Sequence, residues 1–136
     1  MRPVLPLALA AALLCSGCAR ATYETAYEDV VEARAQDAVD RGWIPDLLPE
    51  EAYDLREVHA PRDGTAVVLA TLPGGILPEA CAEVEDEVGD PPLSPAWLPG
   101  EVLARGVAVR CDVWQGRIDG NTVVLWTDRA DEADLD

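Results

Sequence analysis

His59 is the only histidine in the chain and the first residue to weigh for chemistry. An imidazole works as a general base only beside a nucleophile or an acid. Past residue 17 the one serine is Ser94, and a hydroxyl from Thr65 or Thr71 is the other candidate, although threonine in a β-branched stretch is ordinarily a strand former. The 26 acidic side chains make acid-pair hydrolysis arithmetically available, yet nothing in their spacing singles out two of them. The run Glu83-Val84-Glu85-Asp86-Glu87-Val88-Gly89-Asp90 is rich in carboxylates but lacks the alternating ligand order of a calcium loop, so it reads as a solvated face. Cys81, Cys111 and a histidine 22 residues upstream of Cys81 fall short of a four-ligand metal set. The expectation is a chain with no metal, no cofactor and no catalytic set. A small hydrolase using His59 with carboxylates is the alternative.

These residues must be positioned by a small number of elements. Thr25 and Glu28 have the spacing of a capping box, and Tyr27, Val30, Val31, Ala38 and Val39 form an apolar stripe, so the pattern predicts a helix that Gly42 ends. In the segment that follows, Pro45 and Pro49 forbid regular helix and leave Trp43, Ile44, Leu47 and Leu48 to be buried by their surroundings. Thr65 to Leu72 is β-branched and apolar on both faces, the signature of a central strand. Pro78 suits the first turn of a helix running to Val88, with Leu77, Cys81, Val84 and Val88 on one stripe. Gly89 to Gly100, with four prolines and Trp97, reads as an ordered loop. Asp119-Gly120 predicts a hairpin joining residues 107–118 to 121–127, with Trp114 and Trp126 in the core and Gly116 as a candidate bulge. The last residues, 131–136, form an acidic tail.

The N-terminus sets the compartment. Arg2 is followed by an apolar run from Val4 to Leu14, and Ser16 and Gly17 stand just before Cys18, the three-part layout of a secretory signal. The run covers 11 positions, against the about 20 that a membrane-crossing helix requires, so it is a leader and not a span. Leu13-Leu14-Cys15-Ser16-Gly17-Cys18 resembles the processing site of a bacterial lipoprotein, with Cys15 where that family prefers Leu. The resemblance implies that residues 1–17 are removed and that Cys18 becomes an acylated N-terminal residue. Two or more acyl chains give a stable anchor where one is marginal. Ala19, in place of Asp, favours the periplasmic face of the outer membrane over the inner membrane.

Removing the leader leaves 119 residues, one domain's worth, and moves the formal charge from −16 to −17 with no lysine anywhere. Such a surface repels nucleic acid and anionic headgroups, so neither is an expected partner. Once Cys15 has left with the leader and Cys18 is acylated, Cys81 and Cys111 remain as an even pair in an oxidising space. They are expected to form a disulfide.

Gly42-Trp43-Ile44-Pro45, the second proline at Pro49 and then Glu57-Val58-His59 resemble a segment of uncharacterised small membrane-anchored bacterial proteins. That resemblance implies membrane attachment and carries no activity. The chain is therefore expected to be an α+β protein, a small antiparallel sheet with one or two helices and a single disulfide. The expected layout is a leader at 1–17, anchor, spacer and N-terminal helix at 18–42, a globular domain at 43–128 and an acidic tail at 129–136. Trp43, Pro45, Pro49, His59 and Trp97 are the candidate surface for an envelope protein or polymer. The expected role is that of a non-catalytic, lipid-anchored envelope binding or accessory protein.

Overall fold

The computed structural model describes residues 21–85 and 88–130. The leader, Cys15, Cys18 and the tail at 131–136 lie outside the described residues. The elements are β1 (Tyr23–Asp29), α1 (Val30–Ala35), β2 (Tyr53–Ala60), β3 (Thr65–Thr71), β4 (Ala82–Glu83), α2 (Gly100–Arg105), β5 (Val107–Cys111), β6 (Trp114–Asp119) and β7 (Thr122–Thr127). The strands form one seven-stranded antiparallel sheet in the order β1-β2-β3-β7-β6-β5-β4. With two helices of six residues each, the fold is strand-dominated, which corrects the α+β expectation.

Both faces of the sheet are buried. On one, Tyr27, Leu55, Val68, Ala70, Leu125, Ile118 and Val109 pack under residues from the segment 30–52, including Ala33, Ala38, Ile44 and Leu48. On the other, Val58, Val67, Val124 and Trp126 pack under Val84, Leu93, Trp97, Leu98 and Val102. The covers are loops with short helical turns, which is why the interior strands β3 and β7 read as near-continuous apolar runs. The central-strand reading of Thr65 to Leu72 agrees with β3 lying between β2 and β7. Trp114 and Trp126 are both buried in the core.

The predicted N-terminal helix is largely absent. Tyr23, Thr25 and Tyr27 alternate along β1 and pair with His59, Glu57 and Leu55. A related pair of capping bonds occurs four residues later than the predicted box, with its return bond to the residue before the N-cap. Asp29 caps α1 by accepting from the Glu32 N–H at 2.8 Å, and Glu32 accepts from the Glu28 N–H at 2.7 Å. The helix ends after Ala35, and Asp37 takes a positive φ of 63°. β1 belongs to the sheet, and Tyr27, Val30, Ala33 and Ala38 belong to its core.

The helix predicted from Pro78 is a turn followed by strand. The Cys81 N–H bonds to the Pro78 carbonyl at 2.9 Å, and β4 then pairs with β5. Leu77 and Cys81 pack on one face of the sheet while Val84 packs on the other, an arrangement an extended edge allows and a one-sided helix does not. The predicted first arm of the hairpin, 107–118, is divided by a turn at Asp112, whose φ of 60° is one that Asp tolerates. Gly116 sits in regular register opposite Leu125, so it is no bulge. A side chain there would meet the Val124 carbonyl of the neighbouring strand.

Candidate functional site

Two of the three buried polar residues of the described chain, Glu57 and His59, sit on β2 where it meets β1; the third is Thr127 at the end of β7. Alternation along β2 puts Glu57 and His59 on the same inward face, and the register sets Thr25 opposite Glu57 and Tyr23 opposite His59. Glu57 is fully buried and His59 is 4% exposed. His59 Nδ1 lies 2.8 Å from Glu57 Oε2 and 3.2 Å from Oε1, a contact that requires one proton between them.

The segment after α1 closes the site from above. The Ala38 carbonyl accepts both the Trp43 N–H at 3.0 Å and the Ile44 N–H at 3.2 Å, with Gly42 at a φ of 78° making the turn. This sets the Trp43 ring on the imidazole of His59, with centroids 3.8 Å apart and planes 12° apart. Tyr23 stacks on the same imidazole more loosely, at 5.5 Å and 25°. The Arg41 guanidinium lies 5.1 Å from the Trp43 ring centroid, within cation–π range.

Electrostatics follow from this enclosure. Burial pushes Glu57 up from 4.5 to about 8, with a hydrogen bond from Thr25 pulling the other way and Glu24 adding to the rise. Burial lowers His59 below its ordinary 6.5, helped by the positive charge of Arg41. Tyr27 is raised, first by burial and then by Glu57. The pair thus keeps a single shared proton through neutral pH, as a neutral acid beside a neutral imidazole or as an ion pair.

A carboxylate holding Nδ1 of a histidine is the orienting half of a nucleophilic site. The candidate hydroxyls do not complete it. His59 stands opposite Ala66, so Thr65 points to the other face, where its hydroxyl is buried with no hydrogen-bond partner; Thr71 is at the far end of β3. Ser94 is exposed in the cover of the opposite face. Among the described residues, no group of three or more His, Cys, Asp or Glu is arranged to hold a metal ion. The acidic run 83–90 includes residues 86 and 87, which lie outside the described residues.

The predicted surface residues are dispersed. Trp43 and His59 come together, Pro45 is buried beneath the same segment, and Pro49 lies half-buried at the opposite end of the sheet, where β2 begins. Trp97 is on the other face, its indole N–H donating to Glu24 Oε1 at 2.7 Å. No joint patch of Trp43 and Trp97 exists. Glu57, Tyr23 and Arg41 were not anticipated. The signal available for them was the two-residue alternation Tyr23-Thr25-Tyr27 facing Glu57-His59. Cys81 and Cys111 are joined by a disulfide.

Residues 21–61 match the family model of the YbbD head domain. The matched segment contains every residue of the cluster, from Tyr23 to His59, and less than a third of the chain. Its description names a domain and no catalytic activity. No curated protein and no solved structure matches the chain. Among the described residues no helix is long and apolar enough to cross a membrane.

Proposed function

We propose that this chain is a lipid-anchored, non-catalytic domain of the cell envelope, acting as a binding or accessory module. The observation that carries the reading is the enclosure of its only histidine. His59 is stacked under Trp43 and held by a buried carboxylate, with none of the candidate hydroxyls on its face of the sheet, an arrangement suited to fastening the cover to the sheet. The likeness of residues 21–61 to a head domain supports a small accessory unit.

The tether rests on the Cys18 motif. Tyr23 opens β1 five residues after Cys18, so the Tyr23 end of the sheet would lie within about 17 Å of the acylated residue. The intact mass of membrane-extracted protein tests this, measured with and without reduction and thiol alkylation. The expected mass is that of residues 18–136 plus acyl groups, two hydrogens short until reduced. An unacylated full-length mass would overturn the anchor and, with it, the envelope assignment.

A further inference from the structure

The end of the sheet remote from Tyr23 carries an apolar cleft of about 490 Å³, in the range of clefts that hold ligands. Pro49, Pro73, Leu77 and Pro78 form its walls, and Ile76 stands at its mouth with 74% of its surface exposed. Glu51 and Glu79 rim it. The backbone is set before anything arrives. The Gly75 N–H bonds to the Leu72 carbonyl at 3.0 Å, the Leu72 N–H bonds to the Asn121 carbonyl at 2.7 Å, and the Ala52 N–H bonds to the Pro49 carbonyl at 3.0 Å. Three rigid prolines lose little freedom when such a surface is covered.

We infer that this cleft docks a short apolar peptide segment of a partner protein, one that carries a basic residue on each side of its apolar core. The described residues nearest the two termini, Tyr23 and Ala130, lie at the opposite end of the sheet, where Ala130 bonds to the Gly64 carbonyl at 2.8 Å. Residues 131–136 are acidic in sequence, as are Glu51 and Glu79. A second copy is opposed for the same reason, since its cleft would bring two more carboxylates to the rim and a chain charge of −16. Charge therefore selects a basic partner while the prolines and Ile76 supply apolar area. The direction in which the cleft faces, away from the membrane, rests on the proposed tether; the binding itself does not.

The test uses the full chain with its disulfide formed, in detergent-containing buffer that keeps it dissolved whether or not it is acylated. The probes are fluorescently labelled peptides of sequence Arg-Leu-Ile-Pro-Leu-Arg and its counterparts with Ser or Glu at both ends, scored by fluorescence anisotropy. The Arg-ended peptide is expected to bind at least about tenfold more tightly than the Glu-ended one, with the Ser-ended one between, and to weaken as salt rises. Ile76→Ser, or Glu51→Gln with Glu79→Gln, should weaken it about fivefold or more, while Arg62→Ser at the other end of the sheet should not. Absence of binding by the Arg-ended peptide, equal binding of all three, or binding indifferent to Ile76→Ser would overturn the inference. Failure here leaves the mass measurement standing, and an unacylated mass leaves the peptide result standing.

Discussion

Two clasps hold irregular cover to the same face of the sheet, and they use different chemistry. At the β5 flank, the disulfide from Cys81 ties the segment after Pro78 to buried Cys111. At the β1–β2 flank, Glu57 and His59 hold Trp43 and the turn that carries it. The first clasp is covalent, indifferent to pH and broken by reductant. The second depends on one proton and is indifferent to reductant. A cover without long helices cannot register itself by repeating contacts, so it needs point attachments, and this fold places one at each flank.

The largest effect should come from opening the covalent clasp. A loop of 30 residues restores about 3–4 kcal/mol of chain entropy to the unfolded state when its disulfide is lost. Cys111→Ala with Cys81→Ala should lower unfolding stability by about that amount, measured by denaturant titration, and added reductant should then have no further effect. In the unaltered chain, denaturation without reductant should expose neither of these two thiols to alkylation. Labelling of both would show that the bridge does not form in solution.

The second clasp should be almost as costly to break from one side. His59→Ala removes the stacked ring from under Trp43 and leaves Glu57 buried without its partner, for an expected loss of about 3 kcal/mol. Replacing both members, with Glu57→Met and His59→Phe, keeps the stack and removes the orphaned acid, so this double variant should be more stable than His59→Ala alone. Equal stability of the two would mean that neither the stack nor the orphaned carboxyl accounts for the loss, and that this clasp does not stabilise the flank. His59→Gln provides the functional side of the comparison. If it loses a cellular phenotype while its melting temperature is unchanged, the hydrolase alternative gains over the accessory reading.

The two clasps also differed in how legible they were. Counting cysteines was enough for Cys81 and Cys111, because a covalent pair needs no knowledge of register. Glu57 and His59 become an enclosed pair only when β1 lies beside β2, and the helical spacing of Tyr27, Val30 and Val31 conceals that strand. Tyr27 and Val30 are buried, one near the end of a strand and the other at the start of a helix, while Val31 is 58% exposed. Leu77, Cys81, Val84 and Val88 misled in the same way: residues three or four apart also fall on alternating faces of an edge segment that wraps around the sheet. Strands apolar on both faces, such as β3, are recognisable by their β-branched residues and by a length of seven between turn residues. The turn at Asp112 was missed because Asp-Val lacks the glycine that marks Asp119-Gly120. Trp43 and Trp97 were grouped by residue type, whereas the chain sends them to opposite faces.

The smallest of these effects, and the one specific to the proton-dependent clasp, is the response to pH. Unfolded, Glu57 titrates at its ordinary 4.5 and His59 at 6.5; folded, Glu57 holds its proton to about 8 and His59 is lowered. Near 6.5 the folded pair holds a proton on Glu57, while the unfolded chain holds one on His59. Above 6.5 the unfolded chain loses that proton while the folded pair keeps it, and stability falls as pH rises, levelling off past about 8. At 1.36 kcal/mol per unit, the fall over this window is about 2 kcal/mol. The double variant Glu57→Met with His59→Phe should lose the decline between 6.5 and 8, while the double cysteine variant should retain it in full. If both variants show the same decline, its source lies in other groups of this acidic chain, and the Glu57–His59 clasp is held by packing alone.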